Sequence, residues 1–428
     1  MTEAPETIAR GQKLLRCGYT TGTCAAAAAG AAASALLLHR SVKESLVHLP
    51  GGGYIRIPVC AIEESCSYEP GYSGLPREGD QAGFFVIKQA GDDPDVTDGI
   101  RIEARIRVLA AGEALPEGSF ADGRTPGLFL TGGEGVGRVT QQGLEQSVGQ
   151  AAINRVPRRM IFDAAGDVLR EAVQSEGGAS EQSGGGQSFL RLLITISVPE
   201  GRRIAAHTFN PRLGITGGIS ILGTSGIVEP MSERAILETI RLELGQKLLR
   251  YEGKVILVPG NYGERYVRDC LRLLDEPVLI SNYVGEAIDG CVLAGASAIL
   301  LVGNAGKLIK LAAGIMNTHS GTADGRREIV TAHAALCGAD RKTLEAVFHA
   351  QVTDQMLAIL ERAGLLAPVV QSMLREIGTN LERRAGGVPC GAVLFSERYG
   401  ELGRTAGTDA VLGQWLNSRQ QDAGNPSV

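Results

Sequence analysis

Beyond residue 230, short apolar runs alternate with longer amphipathic segments. The apolar runs at 254–258, 278–281 and 298–302 predict buried strands, and the segments that follow them predict helices. Strands that alternate with helices at this spacing are typical of a parallel sheet covered on both faces. We therefore expect residues 231–428 to form an α/β domain, with a parallel sheet flanked by helices and a polar C-terminal tail that is frayed after Trp415.

Capping residues and apolar spacing predict the helices of this domain. Ser232 precedes a segment that ends in basic residues, which favours a helix over 232–250. Further helices are expected at 266–274 and 343–366. We interpret residues 260–263, between the first strand and the helix at 266, as a loop.

The pattern before residue 230 is mixed. Alternating apolar and polar positions at 54–62 and 100–110 predict half-buried strands. An alanine-rich run at 25–38 predicts a buried helix, because it is shorter and less apolar than a membrane span. We expect residues 1–230 to form an α+β domain. Two insertions rich in Gly and polar residues predict loops, the second of them flexible, at 63–80 and 175–188.

Composition narrows the class of protein. The chain has 58 glycines in 428 residues, 4% aromatic residues and a net charge of −5. A nucleic-acid binder would show a basic face and stacking rings, so that class is not expected. The eight cysteines form no CxxC pair, which argues against a zinc ribbon or disulfide scaffold and favours small buried thiols. The N-terminal residues do not resemble a signal peptide, so we expect a cytoplasmic protein without a membrane partner.

Turn residues follow two of the strands predicted in the second domain. Gly260, Asn261 and Gly263 follow the first strand, and Gly303 and Asn304 follow the third. Ligands of parallel sheets bind beyond the carboxyl ends of the strands, so these residues should share one rim. The second loop opens a helix, as an anion site does, but its spacing does not match a P-loop. Taken alone, a tight turn explains each loop equally well.

The most unusual segment is 208–226. It has five glycines among apolar residues, serines and threonines. This composition suits a backbone that lies close to a large flat ligand, with amides and hydroxyls as donors. A glycine-rich crossover between domains is the other interpretation, and it is compatible with the first.

Two groups of ionisable residues could also carry chemistry. The segment 91–99 contains four aspartates, for which an Asx-stabilised turn is favoured over a divalent cation site or contact with a cationic ligand. His319 and Asp324 could form an acid–base pair. A lone histidine is more often a structural hydrogen-bonding group, and no GxSxG elbow supports a serine triad.

Together these segments resemble one family, the CbiD-type cobalt-precorrin-5B C-1-methyltransferases of anaerobic cobalamin biosynthesis. The N-terminal signature is CGYTTGTCAAA at 17–27, and the resemblance runs from about residue 14 to about residue 400. The other shared motifs follow in the expected order, at 91–97, 208–214, 217–233, 260–263, 281–286 and 303–320.

The resemblance implies transfer of a methyl group from S-adenosylmethionine to ring carbon C-1 of a cobalt-containing corrinoid, which gives cobalt-precorrin-6A. The sulfonium already activates the methyl group, so the enzyme mainly has to orient it and exclude water. No metal ligand or nucleophilic Ser or Cys is needed for this chemistry, and none is expected.

Candidate site residues follow from the resemblance and from the ligands it implies. Acetate and propionate groups of the ring favour arginine as a partner. Residues expected to bind the substrate are Thr20, Thr21, Asp93, Arg158, Asn210, Arg212, Thr224, Ser225 and Lys307. Residues expected to bind the cofactor are Gly260, Asn261, Gly263, Glu286, Gly303 and Asn304. Any catalytic proton transfer is assigned to His319, Asp95 or Glu229.

Two other functions stay open at this point. One is a lyase or hydrolase that acts on the same ring, and the other is a corrinoid-binding protein without catalytic activity. Incorporation of labelled methyl into the ring would separate them from a methyltransferase. The expected partner is the cobalt-containing corrinoid, and a homo-oligomer is left open.

Overall fold

The structure is a computed structural model that describes residues 6–10, 12–63, 74–177 and 190–423. The chain divides into two compact units, Met1–Ser232 and Glu233–Val428, which we call the N-terminal and the C-terminal unit. The predicted flexible insertion at 175–188 lies largely outside the described residues, as does most of the predicted loop at 63–80.

The N-terminal unit is built around one buried helix and a six-stranded sheet. In chain order its elements are β1 (Thr7–Arg10), β2 (Lys13–Arg16), β3 (Gly18–Tyr19), α1 (Thr21–Leu38), β4 (Glu44–His48), β5 (Tyr54–Pro58), β6 (Cys60–Ala61), β7 (Gln81–Ile87), β8 (Arg101–Val108), β9 (Phe120–Ala121), β10 (Leu128–Gly132), β11 (Arg138–Val139), α2 (Arg155–Gly177), β12 (Leu192–Ser197), α3 (Gly201–Ala205), β13 (Ile215–Thr216) and β14 (Ile227–Val228). The sheet order is β6-β7-β8-β12-β10-β9, in which β10 and β12 are parallel and the other pairs are antiparallel.

Helix α1 is the centre of this unit's core. Its alanine side chains are almost completely buried, which lets α2 and strands β7 and β8 pack closely around it. By length and composition α1 is the one helix of the described residues that could cross a membrane, but 89% of it is buried inside the protein. The prediction of a buried core helix is confirmed.

The C-terminal unit holds a mostly parallel sheet with helices on both faces. In chain order its elements are α4 (Glu233–Arg250), β15 (Lys254–Val258), α5 (Asn261–Asp269), β16 (Val278–Leu279), α6 (Val284–Leu293), β17 (Ala298–Asn304), α7 (Ala305–Leu308), a 3-10 helix (Ile309–Ala313), α8 (Arg326–Leu336), α9 (Arg341–His349), α10 (Thr353–Arg362), α11 (Leu366–Ala385), β18 (Cys390–Ser396), β19 (Gly400–Arg404) and α12 (Thr408–Ala423). The sheet order is β16-β15-β17-β18-β19. The first four strands are parallel and β19 is an antiparallel edge strand.

Both faces of this sheet are covered, as predicted. Side chains of α5 and α12 pack on one face, with Val267 and Trp415 among them. Side chains of α4, α6 and α11 pack on the other face, with Leu244, Ile288 and Leu381 among them. The arrangement explains why the strands read as continuous apolar runs rather than as alternating ones.

Three predicted elements are wrong in detail. The helix expected at 266–274 is α5, which begins already at Asn261. The single helix expected at 343–366 is two helices, because the backbone is extended at Ala350 and Val352 between α9 and α10. The polar tail is helical to Ala423 as part of α12.

Candidate functional site

The order of strands in the C-terminal unit creates a switch point. From β15 the chain passes through α5 to β16 on one side, and then through α6 to β17 on the other side of β15. In doubly wound sheets ligands bind outside the carboxyl ends of the two strands at which the order reverses. The residues that follow β15 and β17 are therefore the first candidates for a small-molecule site.

The loop after β15 is shorter than the sequence suggests. Gly260 is the N-cap of α5, with extended backbone (φ 163°), and Asn261 opens the helix, so the first turn of α5 lies directly after β15. No atom outside its chain neighbours lies within 4 Å of a Cβ placed on Gly260, whereas one on Gly263 would lie 2.8 Å from the carbonyl oxygen of Val302. Gly263 thus permits close packing of the helix on the sheet. The backbone of Gly260, at the end of β15, has open space beside it.

The side chain of Asn304 stabilises the turn after β17. Asn304 caps α7 by accepting a hydrogen bond from the amide of Gly306 (2.8 Å). A Cβ on Gly303 would lie 2.8 Å from the Leu308 side chain, so Gly303 serves packing. Gly303 is buried, whereas Asn304 is half-buried at the end of the strand.

Lys307 ties strand ends together. Its ammonium group donates to the carbonyl oxygens of Pro259 (2.8 Å) and Ser281 (3.2 Å), which follow β15 and β16. Burial, followed by the charge of Lys310, lowers the pKa of Lys307. The sequence predicts Lys307 as a substrate ligand, but its bonds to these carbonyls show a role in positioning the rim.

Glu286 keeps an unused carboxylate oxygen. It lies in the first turn of α6, and its Oε2 is buried without a hydrogen-bond partner in the part of the chain that the structure describes. The nearby cation, Arg384, is taken by Asp289 through bonds of 2.9 and 2.6 Å. An unpaired buried carboxylate oxygen is unfavourable by itself and favours a positively charged or hydrogen-donating ligand.

Thr353 is a candidate that sequence reasoning missed. Its side chain is 6% exposed, and its Oγ1 has no hydrogen-bond partner among the described residues. A Cβ placed on Gly306 would lie 3.7 Å from this hydroxyl, which brings the start of α10 to the end of β17. Nothing in the local sequence signals it, because only the fold brings α10 to this rim.

The neighbouring strand end also carries polar groups. The hydroxyl of Ser396, at the end of β18, donates to the carboxylate of Asp354 (3.2 Å) and accepts from the amide of Arg398 (3.2 Å). Asp354 and Arg398 line a cleft of about 440 Å³ with residues of α9 and α10. Polar groups thus mark the ends of β15, β17 and β18.

In the N-terminal unit, threonine hydroxyls bind the start of α1 to the segment 220–226. Thr21 Oγ1 donates to the carbonyl of Leu222 (3.2 Å) and accepts from its amide (2.8 Å). The hydroxyl of Thr20 caps α1 by accepting a hydrogen bond from the amide of Thr23. The hydroxyl of Thr23 donates to the carbonyl of Gly226 (2.5 Å). The sequence predicts Thr20 and Thr21 as substrate ligands, but both are buried and bond internally.

The glycine-rich segment is also held from within. Asn210, 6% exposed, donates to the carbonyl of Gly218 (3.1 Å) and accepts from the hydroxyl of Ser220 (3.1 Å). Ser225 donates to the carbonyl of Ile227. Asn210 and Ser225 thus bond within the segment, Thr224 is exposed and Arg212 is half-buried, and substrate binding by these four residues stays a prediction.

The four aspartates of 91–99 have separate partners. Asp92 binds Arg16, and Asp95 binds the buried ammonium of Lys88. Asp93 accepts from the amide of Met231 and Asp98 from that of Ala90. The prediction of a hydrogen-bonded turn is confirmed, and Asp93 as a substrate ligand stays a prediction.

The proposed acid–base pair of His319 and Asp324 is wrong. Asp324 binds Arg326 through both carboxylate oxygens, and these bonds lower its pKa to about 2. His319 is exposed, and its Nδ1 accepts a hydrogen bond from the amide of Gly321 (3.1 Å). His319 therefore bonds to a backbone amide and not to Asp324.

The other two candidate proton acceptors are ion-paired. Glu229 binds Arg10 (2.9 Å). Burial raises the pKa of Asp95, but the charge and hydrogen bond of Lys88 and two hydrogen bonds from Thr97 outweigh it, and the net shift is downward. A carboxylate with a lowered pKa is a weak base.

The cysteines and carboxylates of the described residues form no metal site. Within residues 6–10, 12–63, 74–177 and 190–423, no group of three or more His, Cys, Asp or Glu is placed to hold a metal ion. Cys24, Cys291 and Cys390 are buried, and burial raises the pKa of each thiol to about 12. The prediction of buried thiols is wrong for Cys60 and Cys270, which are exposed.

Arg158, which the sequence predicts as a substrate ligand, lines a cleft. Its guanidinium lies 4.4 Å from the ring centroid of Phe120. Burial is the main reason why its pKa is lowered. The cleft has a volume of about 450 Å³ and is lined by residues of α2 and β9.

Comparison with known proteins finds relatives that match most of the chain. A protein from Ruminiclostridium cellulolyticum named cobalt-precorrin-5B C(1)-methyltransferase is 43% identical over 89% of this chain and 88% of its own length. One of the same name from Thermoanaerobacter sp. is 41% identical over 84% of this chain and 86% of its own. A crystal structure of cobalamin biosynthesis protein (cbiD) from Archaeoglobus fulgidus is 25% identical, with a TM-score of 0.36, over 76% of this chain and 88% of its own.

Two family models match the two parts of the chain. The model described as CbiD matches residues 8–230. The model described as CbiD, C-terminal domain, matches residues 317–406. The first alone covers more than half of the chain, and this protein therefore belongs to the CbiD family.

Proposed function

We propose that this protein is an S-adenosylmethionine-dependent methyltransferase that methylates C-1 of cobalt-precorrin-5B to give cobalt-precorrin-6A in anaerobic cobalamin biosynthesis. The observation that carries the proposal is the similarity to proteins named for this reaction, at 43% and 41% identity over most of both chains. Such coverage includes both units, so the comparison concerns the whole catalytic chain rather than one domain.

The residues at the switch point fit the methyl donor. S-adenosylmethionine supplies a methyl group already activated by its sulfonium, together with an ammonium, a carboxylate and ribose hydroxyls. The backbone amides of Gly260 and Asn261 lie at the N-terminus of α5, a position that suits a carboxylate. The unpaired Oε2 of Glu286 suits an ammonium or a hydroxyl, and the buried hydroxyl of Thr353 suits a further hydrogen bond.

The contribution of this chain is positioning. Lys307 fixes the carbonyl ends of two strands, and Asn304 fixes the turn after a third, so the rim is rigid before any ligand binds. Holding reacting atoms in line can supply about 7–11 kcal/mol of the barrier reduction. His319, Asp95 and Glu229 are each engaged by other groups, so we assign the rate enhancement to orientation and exclusion of water rather than to these side chains.

The function is tested by incubating the protein with cobalt-precorrin-5B and S-adenosylmethionine that carries a 13C-labelled methyl group. We expect the label at C-1 of the product, detected by NMR. Turnover without the methyl donor would instead identify a lyase or hydrolase. Binding of the corrinoid without any product would identify a carrier.

The donor site is tested by calorimetric titration with S-adenosylhomocysteine. Glu286→Gln should weaken binding by about tenfold, because a hydrogen bond to a charged group is lost. The matched control is Glu328→Gln, which neutralises an exposed carboxylate in the first turn of α8. Equal affinities of both variants and the wild type would place the donor elsewhere.

A further inference from the structure

The cleft of about 450 Å³ in the N-terminal unit is lined by a concentration of arginines. Arg155, Arg158 and Arg159 project from the first turn and a half of α2, and Arg124 from the loop after β9. Phe120 and Phe162, each 6% exposed, form apolar parts of its wall. A wall of this kind lowers the local dielectric and strengthens the pull of the guanidinium groups on an anion.

Two of these arginines form ion pairs with a carboxylate of the protein. Arg124 binds Asp163 at 2.8 Å, and Arg159 binds the same carboxylate at 3.3 Å. Asp122, which also lines the cleft, lies 3.8 Å from Arg124. These two arginines are fixed in place by ion pairs and define one side of the cleft.

The other two arginines have no such partner. Within the part of the chain that the structure describes, neither Arg155 nor Arg158 forms an ion pair, and the Nε of Arg158 is buried without a hydrogen-bond partner. Glu145 accepts from the backbone amide of Arg155, and its charge acts on Arg158 only through space. Burial, with the neighbouring charge of Arg155 in addition, lowers the pKa of Arg158 against the effect of Glu145.

This arrangement is unfavourable without an anion. Two like charges lie near each other, and one of them is half-buried with an unsatisfied N–H group. Its guanidinium carbon lies 4.4 Å from the ring centroid of Phe120, so a cation–π contact holds it at the wall of the cleft. A planar fork of this kind matches the two oxygens of a carboxylate.

We propose that the arginine cleft binds carboxylate side chains at the periphery of the tetrapyrrole substrate, with Arg155 and Arg158 as the ligating residues. The proposal rests on the proposed function, which makes that substrate a corrinoid with acetate and propionate groups. The volume of about 450 Å³ admits one edge of a macrocycle rather than the whole ring. When the two arginines bind carboxylates at the edge of the ring, the carbon that is methylated lies outside the cleft.

Binding of uroporphyrin to the full-length protein tests the site without any catalytic turnover. Uroporphyrin carries only carboxylate side chains, and its fluorescence reports the dissociation constant. Arg158→Gln should raise this constant about tenfold, and Arg155→Gln, at an exposed position, about fivefold. Arg158→Lys keeps the charge but loses the fork, so it should fall between wild type and Arg158→Gln.

The matched control is Arg170→Gln, further along the same helix α2, where Arg170 is exposed and pairs with Asp167. It should bind uroporphyrin like the wild type. Unchanged binding by both Arg155→Gln and Arg158→Gln, in variants that unfold at the wild-type temperature, would overturn the proposal. Inorganic phosphate that displaces uroporphyrin at micromolar concentration would also overturn it, since the site would then be a general anion site.

The two proposals fail separately. If the wild type transfers labelled methyl but the arginine variants keep the wild-type KM for the corrinoid, the cleft is not its carboxylate site. If the wild type binds uroporphyrin through Arg155 and Arg158 but transfers no methyl, the proposed reaction is wrong and the site stands.

Discussion

The ammonium group of Lys88, which is 1% exposed, donates a hydrogen bond of 2.6 Å to the carboxylate of Asp95. The other oxygen of Asp95 accepts from the amide and the hydroxyl of Thr97, at 2.8 and 2.6 Å. A buried charge is tolerated only with such a partner. The pair therefore explains the acidic turn at 91–99 as part of the fold.

Asp95→Asn should destabilise the protein by about 3 kcal/mol, because it leaves the ammonium of Lys88 buried without a counter-charge. Urea denaturation at pH 7 measures the effect. The double variant Lys88→Met, Asp95→Asn removes both charges and should recover most of the loss. If Asp95→Asn alone unfolds at the wild-type urea concentration, the pair does not stabilise the fold.

The same pair should lose its contribution in acid. Its environment lowers the pKa of Asp95 in the folded protein below that of the unfolded chain, about 4. The stabilisation is therefore complete above pH 4 and is lost as the pH falls through the folded pKa. The difference in unfolding free energy between wild type and Asp95→Asn should shrink progressively below pH 4. A difference that grows in that range would contradict the assignment.

Gly18→Ala should be strongly destabilising, although glycine and alanine differ by one methyl group. A Cβ on Gly18 would overlap the backbone of Gln89 and Ala90, which cannot move without disrupting the adjacent turn. Overpacking of this kind costs about 1–3 kcal/mol or more. Gly123→Ala is the control, since its Cβ would meet no atom within 4 Å. Thermal unfolding should separate the two variants clearly.

Apolar patterning predicted the positions of strands well, but it did not predict where individual turns end. The strands β8 and β15 lie where the apolar spacing places them, because burial on known faces dictates that spacing. The start of α5 was missed because Gly260, Asn261 and Gly263 have the composition of a loop. Gly263 is instead needed where the helix approaches the carbonyl of Val302, a contact that exists only in three dimensions.

For the candidate site, too, sequence predicted the position of some residues but not the partners of their side chains. Sequence placed Gly260 and Asn304 at strand ends because parallel strands share the direction of their carboxyl ends. It could not tell whether a hydroxyl faces a ligand or the backbone, and Thr21 faces the backbone of Leu222. It could not find Thr353 either, since proximity to Gly306 depends on how α10 packs.

His319→Gln should reduce kcat by less than about threefold. A general base contributes about 100-fold or more, but the Nδ1 of His319 already accepts from the Gly321 amide, and glutamine can supply an oxygen for that bond. Initial rates of label transfer under saturating substrate provide the measurement. A loss of about 100-fold with unchanged stability would restore His319 as the base.

Thr353→Val should stabilise the fold but weaken binding of S-adenosylhomocysteine. The Oγ1 of Thr353 is buried without a partner in the described chain, so valine of the same shape should raise the unfolding free energy by about 1 kcal/mol. If the hydroxyl faces the methyl donor, the same change should weaken S-adenosylhomocysteine binding about fivefold. Thr405→Val is the matched control, since its buried hydroxyl accepts from the amide of Ala392 (2.9 Å). That variant should lose stability while its affinity stays unchanged. A stabilised Thr353→Val that binds like the wild type would remove Thr353 from the site.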